Sequence, residues 1–219
     1  MTTITSTITS NANNYEQQHV FDVYDKIASR FDDTRAYQWT WITDFMNSLK
    51  PKSVVLDIGC GGGRNLEFYS DKHQMFGIDT SKSFIDICKS KNLEVLQANM
   101  CYIPHPSNSF DALIVIASFH HLDCVNHRLQ AMYEMYRILK PGGRMIMSVW
   151  SKEQPAKTRR QFDKYGDTLV PWKERDGTVY QRYYYIFRKD ELLELINIAE
   201  FKVIDWKWDC GNEILTLQK

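Results

Sequence analysis

Apolar positions change their period in a regular order along the chain. Residues 1–14 are nearly all Thr, Ser, Asn and Ile, which cannot pack an interior, and a disordered leader is expected there. Val20, Val23, Tyr24, Ile27, Ala28 and Phe31 then recur at helical spacing, and Trp39, Ile42, Phe45, Met46 and Leu49 repeat it before Pro51. Two helices are therefore predicted ahead of the first strand. From there short apolar runs at 53–58, 74–78, 94–97, 110–116 and 144–149 read as strands. Helical patterns from about 64, over 82–91 and over 125–139 separate them, with a turn at Pro141-Gly142-Gly143. Strands separated by amphipathic helices pair in parallel through right-handed crossovers, which predicts an open, doubly wound α/β sheet. After Trp150 the chain reads as irregular to about 187. A helix over 189–199 and strands near 202–208 and 213–218 close it, and their hairpin brings the expected sheet to seven strands.

The remaining bounds are simple. With 219 residues, 43% of them hydrophobic, the chain can bury one core, so 15–219 is expected to be a single domain. The 27 basic and 27 acidic side chains cancel, and any contact with a polyanion must be local. No run approaches the length of a membrane-spanning helix, and no basic start followed by an apolar block opens the chain, so no membrane association is expected. The five cysteines (60, 88, 101, 124 and 210) form no C-x-x-C pair and have no partner histidine at finger spacing. They suggest a reducing compartment, the cytoplasm and with it the nucleus, and no zinc site.

The chemistry starts at Val54 to Gly63, Val-Val-Leu-Asp-Ile-Gly-Cys-Gly-Gly-Gly, a buried strand running into a turn that lets a ligand touch the backbone. A phosphate-cradling P-loop needs Lys and then Ser or Thr after its last glycine, but Arg64 and Asn65 follow Gly63. The dinucleotide fingerprint needs Gly or Ala five positions after Gly59, where Arg64 stands. What remains is Asp57-x-Gly59-x-Gly61-x-Gly63 with Asp79 closing the next strand, twenty residues beyond Gly59, where a carboxylate can meet ribose hydroxyls. This arrangement resembles the class I S-adenosylmethionine-dependent methyltransferases. The competing reading is a tight turn plus a helix cap at Asp79 or Thr80.

Other strand ends supply further candidates. Ala98-Asn99-Met100 follows the third strand, where an amide can bond an adenine edge and an apolar neighbour can stack on it; Asn99 as a plain turn residue is the alternative. The fourth strand ends in Ala117-Ser118-Phe119-His120-His121-Leu122-Asp123. Adjacent histidines on an extended segment face opposite ways, and His120 is favoured for the site. Cofactor contact is thus expected from Asp57, Gly59, Gly61, Asp79, Thr80, Asn99, Met100 and Ala117. A metal set of His120, His121, Asp123 and His127 has no helical spacing behind it, and no metal is expected. Methyl transfer from a sulfonium depends mainly on positioning and on exclusion of water. A base such as His120 helps an amine or hydroxyl acceptor, whereas a carboxylate, ionised at neutral pH, needs orienting arginines instead.

Between Ser151 and Lys189 ten Lys or Arg (152, 157, 159, 160, 164, 173, 175, 182, 188, 189) stand against five acids (153, 163, 167, 174, 176). They are interleaved with Phe162, Tyr165, Trp172, Tyr180, Tyr183, Tyr184, Tyr185 and Phe187. Cations for phosphates and flat rings for unstacked bases suit single-stranded RNA loops, although a solvated basic loop with buried tyrosines has the same composition.

More specific motifs run through the chain: Val23-Tyr24-Asp25-Lys26-Ile27-Ala28-Ser29-Arg30-Phe31 with Thr34-Arg35 and Trp39; His120-His121 with Arg128; Val149-Trp150-Ser151-Lys152-Glu153-Gln154; Val170-Pro171-Trp172; and Arg182 to Arg188. In this order they resemble the eukaryotic tRNA wobble-uridine carboxymethyl methyltransferases, a group that includes the methyltransferase domain of AlkB-homologue fusion proteins. The resemblance implies a Rossmann-like seven-stranded methyltransferase sheet with two extra N-terminal helices, and S-adenosyl-L-methionine as cofactor. It also implies esterification of 5-carboxymethyluridine in the tRNA anticodon loop, with Arg35, His120 and Arg182 near the base, and a small zinc-binding activator protein covering an apolar edge of the sheet. Gly62, Arg64 and Asn65 stand where that family usually has Asn, Lys and Tyr; Asn99 replaces Asp, and His127 replaces an arginine. A small-molecule O- or C-methyltransferase and a non-catalytic scaffold are the alternatives. On the helix over 125–139, Met132, Tyr133, Met135 and Tyr136 suggest an apolar surplus for a partner.

Overall fold

The computed structural model describes residues 15–34, 38–158 and 160–219; the expected leader and Arg35 lie outside these residues. The main sheet has the order β3-β2-β1-β4-β5-β9-β8. Its strands are β1 (Val54–Ile58), β2 (Gln74–Asp79), β3 (Val95–Gln97), β4 (Phe110–Ile116), β5 (Leu139–Trp150), β8 (Lys202–Asp209) and β9 (Asn212–Gln218). The first five pair in parallel, and β9 joins antiparallel between β5 and β8. This is the doubly wound Rossmann-like sheet expected, with the predicted hairpin at its edge.

Apolar runs such as Val-Val-Leu in β1 and Ala-Leu-Ile-Val-Ile in β4 bury both faces, as parallel strands between helical layers must. Alternate residues divide between two cores. Leu56, Ile58, Leu113 and Val115 meet α5 (Val125–Ile138) and α6 (Lys189–Ile198) on one side. Val55, Ala112 and Ile114 meet α2 (Thr40–Asn47), α3 (Arg64–Tyr69) and α4 (Lys82–Ser90) on the other. The first predicted helix is a π-helical turn, Gln17–Phe21, running into α1 (Asp22–Asp33). Asp25 ties α1 to the start of α4, its Oδ1 accepting from Ser83 N–H (2.8 Å) and Ser81 Oγ (2.9 Å).

Three expectations change. The stretch after Trp150 is not irregular throughout: β6 (Gly166–Lys173) and β7 (Val179–Ile186) form a separate antiparallel pair. Exposed Leu169 breaks the polar side of its alternation, which hid the strand, although Asp176-Gly177, with Gly177 at φ +92°, is a hairpin signal. The turn at 141–143 is a bulge within β5, opposite the register shift between Phe110 and Ala112. On α5, Met132 and Met135 are fully buried and Tyr136 packs edge-on against Phe201 at 5.2 Å. Only Tyr133 of that expected surplus is exposed, so it makes no patch. Among the described residues no helix is long and apolar enough to cross a membrane.

Candidate active site

β1 lies between β2 and β4, so the turns after all three strands meet at one end of the sheet. Gly59 (φ +76°), Gly61 (φ +53°) and Gly63 (φ +82°) take left-handed conformations that side chains resist. A Cβ on Gly59 would stand 2.5 Å from that of Ser118, whose hydroxyl donates to the Ile58 carbonyl at 2.9 Å. The β1 and β4 turns are thereby packed against each other. Gly61 faces open space, and its N–H is held by Asp79 Oδ2 at 2.9 Å, while Asp79 Oδ1 accepts from Ser81 N–H at 2.9 Å.

Asp57 is buried, and its Oδ2 accepts from Asn65 Nδ2 at 2.9 Å; Asn65 Oδ1 in turn accepts from Gln38 Nε2 at 3.0 Å. Burial pushes the Asp57 carboxyl up to about 7, with Asn65 opposing and the Asp79 charge adding to the rise. Burial raises Asp79 as well, against hydrogen bonds from Ser81, Gly61 and Thr80. Two carboxylates strained in this way favour a ligand that brings positive charge.

These groups line a cleft of about 500 Å³, within the range of small-ligand sites. All eight predicted cofactor contacts border it: Asp57, Gly59, Gly61, Asp79, Thr80, Asn99, Met100 and Ala117. Asn99 also makes the turn that the alternative reading required, its Oδ1 accepting from Cys101 N–H at 2.9 Å; its Nδ2 has no hydrogen bond among the described residues. Ala117 is held at φ +51°, a strained conformation of the kind that collects at functional sites, and its N–H donates to the Ser148 carbonyl at 3.0 Å.

The histidine expectation is corrected. His120 is fully buried behind the cleft, its Nδ1 accepting from Trp150 N–H at 3.0 Å, and it is His121 that borders the cleft. The segment is a 3-10 turn, Phe119–His121, rather than extended chain, so the alternation argument did not apply. His121 Nδ1 faces the Tyr183 carbonyl at 2.7 Å and must donate to it; Nε2 therefore accepts from the Tyr24 hydroxyl at 2.9 Å. Tyr184 then donates to Tyr24 at 2.9 Å. Burial presses His121 down to about 3 and His120 well below its ordinary value, so both stay neutral at physiological pH.

Arg182 completes this wall. It is 6% exposed, with its guanidinium 5.1 Å from the Trp172 ring and 5.4 Å from the Tyr184 ring. Its Nε is buried without a hydrogen bond, and no carboxylate pairs with it among the described residues. Tyr184 stacks on Trp150 at 3.9 Å, and Arg160 covers the other ring at 4.0 Å while donating to Gln154 Oε1. Tyr183 and Tyr184 are buried, so for these two rings the alternative of buried tyrosines holds, and Tyr184 also lines the cleft. Tyr24, His121, Tyr184 and Trp150 were missed as site residues; Tyr24 and Trp150 lay inside quoted motifs, and only the third dimension links them.

The cleft fits S-adenosylmethionine. Asp79 stands at a strand end where ribose hydroxyls can be bonded, Asn99 keeps a free amide beside apolar Met100, and buried Asp57 favours a cationic neighbour. When bound, that group supplies an electrophilic methyl. The chain's own part is to exclude water and to present a neutral imidazole and two tyrosine hydroxyls, with the Arg182 guanidinium in the same wall.

Fold and cleft define an S-adenosylmethionine-dependent methyltransferase, and residues 56–147 match the family model described as "Methyltransferase domain". The chain is 36% identical to the Schizosaccharomyces pombe tRNA (carboxymethyluridine(34)-5-O)-methyltransferase, over 90% of this chain and 95% of that protein. It belongs to that family. It is also 39% identical to mouse tRNA (carboxymethyluridine(34)-5-O)-methyltransferase ALKBH8 over 66% of this chain, which spans 22% of the mouse protein. Among solved structures, a complex between the Haloferax volcanii Trm112 methyltransferase activator and a methyltransferase superposes with a TM-score of 0.68 at 17% identity, covering 91% of this chain and 96% of that one. At that identity the likeness concerns the fold.

Proposed function

We propose that the chain methylates the carboxylate of 5-carboxymethyluridine at the wobble position of tRNA, using S-adenosyl-L-methionine. The observation that carries this reading is Arg182, a buried guanidinium with an unsatisfied donor in the wall of the cofactor cleft. A charge in that position without a carboxylate partner among the described residues is costly unless a ligand supplies the anion, and a carboxylate matches its planar fork. The His121 imidazole at the cleft does not titrate near neutral pH, which agrees, because an ionised carboxylate needs no base. Arg35 serves the same acceptor in this reading, and His121, rather than His120, shapes the site. Lys152 and Arg188, over the Tyr165 ring at 5.1 and 4.6 Å, offer cations to the anticodon loop.

The partner is a small zinc-binding activator seated along β3. This three-residue parallel strand forms a free edge with Leu96 47% exposed, and parallel strands rarely face solvent. Co-expression tests it: the activator should co-purify and raise transfer, and full activity of the isolated chain removes it.

The function is tested by supplying labelled cofactor with tRNA that lacks wobble esters. Methyl ester on carboxymethyluridine supports the proposal; transfer only to a small acceptor supports the alternative.

A further inference from the structure

A second set of convergent polar atoms lies outside the cleft, where the N-terminal segment meets the loop before α5. Glu16 is buried, its Oε1 accepting from Asp123 N–H at 2.7 Å and from His127 Nδ1 at 2.8 Å. Asp123 Oδ1 lies 3.4 Å from the same Nδ1. Cys124 caps α5, its Sγ accepting from His127 N–H at 3.5 Å. One Asp123 oxygen, Cys124 Sγ and His127 Nδ1 all lie within 4.8 Å of one another.

One hydrogen faces two of these acceptors. His127 Nδ1 carries one hydrogen, and Glu16 takes it. Asp123 Oδ1 is buried without a partner in hydrogen-bond geometry among the described residues, on a side chain only 9% exposed, and it lies against the imidazole. Glu16 is 3% exposed on its side chain, so two desolvated carboxylates share a single histidine. Arg128 is close but spends its Nη2 on the Asp123 carbonyl and the Tyr183 hydroxyl, not on either carboxylate.

We propose that Asp123, Cys124 and His127 bind a zinc ion, with Glu16 or a water as fourth ligand. Tetrahedral zinc bonds of about 2.0–2.3 Å hold ligand atoms roughly 3.3–3.8 Å apart, and the 3.4 Å between Asp123 and His127 already meets that spacing. Cys124 and His127, one turn apart at the start of α5, share a face. Thiolate, imidazole and carboxylate together favour zinc over magnesium or calcium. The earlier expectation of no zinc site rested on missing C-x-x-C pairs, whereas this set is Asp-Cys-x-x-His. Bound zinc clamps Glu16, at the root of α1, to the loop that carries His121 and Leu122, and so braces the roof of the cleft. Its role is structural, and it is independent of the acceptor that the enzyme uses.

The test is cobalt(II) titration of the tag-free full chain, followed by zinc competition. A thiolate-to-cobalt charge-transfer band saturating at a single equivalent, displaced by zinc and lost in Cys124→Ser and His127→Ala, is the expected result. Zinc should also raise the melting temperature of the wild type but not of Cys124→Ser. Absence of the band in the folded wild type overturns the proposal without any variant. A band that survives in Cys124→Ser overturns it too, because the metal then sits elsewhere.

Discussion

Tyr24 and His121, 97 residues apart in sequence, are joined by a 2.9 Å hydrogen bond from the tyrosine hydroxyl to Nε2. It connects α1 to the turn after β4 and so joins the roof of the cleft to its wall. Tyr24→Phe removes the donor to His121 Nε2 and one acceptor of the Tyr184 hydroxyl. The expected cost is about 1–3 kcal/mol of stability, read as a lower thermal midpoint, with cofactor affinity changed little. An unchanged midpoint would mean that the two elements are held by other contacts.

Arg182 separates binding from transfer. Arg182→Ala should leave S-adenosylmethionine binding by calorimetry within about twofold while lowering transfer to tRNA about 10- to 100-fold, the worth of one charge-assisted hydrogen bond. Arg182→Lys should restore little, because an ammonium lacks the planar fork. Equal loss of cofactor binding and transfer would place Arg182 in the cofactor half instead.

The glycine loop has a steric signature. Gly59→Ala meets both a left-handed backbone and Ser118 at 2.5 Å, whereas Gly61→Ala meets only the backbone restriction. Gly59→Ala should therefore be the more destabilising, by roughly 1–3 kcal/mol or more. Thermal melts of the two apo variants compare them directly.

Asp57 sets a pH dependence. Its folded value of about 7 exceeds the ordinary 3.8, so between those values the folded chain keeps a proton that the unfolded chain releases. Its contribution favours folding most at low pH, declines as pH rises from about 4 to about 7, and stays at its low value above that. The full span is about 4 kcal/mol at most. Asp57→Asn retains an acceptor for Asn65 and lacks this titration. Its stability relative to wild type should climb between pH ~4 and pH ~7, and parallel melting curves across that interval would contradict the assignment. His121 should contribute no limb near pH 6.5 to transfer at saturating cofactor, because it is already neutral there, and Asp57→Asn should remove any limb that remains.

The sheet was legible because parallel strands are marked by apolar runs and crossover helices by their own period. The cofactor half of the cleft was legible for a related reason: Asp57, the glycines, Asp79 and Asn99 sit at strand ends, and topology alone brings strand ends together. The acceptor half was not. His120 was chosen over His121 by a rule for extended chain that a 3-10 turn does not obey. The hairpin β6–β7 was hidden by exposed Leu169, and composition leaves free and buried tyrosines equally open in β7, where Tyr183 and Tyr184 are buried against Arg128 and Trp150. Side-chain partners made across some 60 to 160 residues leave no periodic trace in the sequence.

The most direct test of the central claim is incubation of the purified chain, alone and with a zinc-binding activator, with labelled S-adenosylmethionine and tRNA lacking wobble esters, followed by nucleoside mass analysis. The account predicts the methyl ester of 5-carboxymethyluridine, with transfer about 10- to 100-fold lower in Arg182→Ala. Intact cofactor binding with no ester on tRNA in either condition would contradict it.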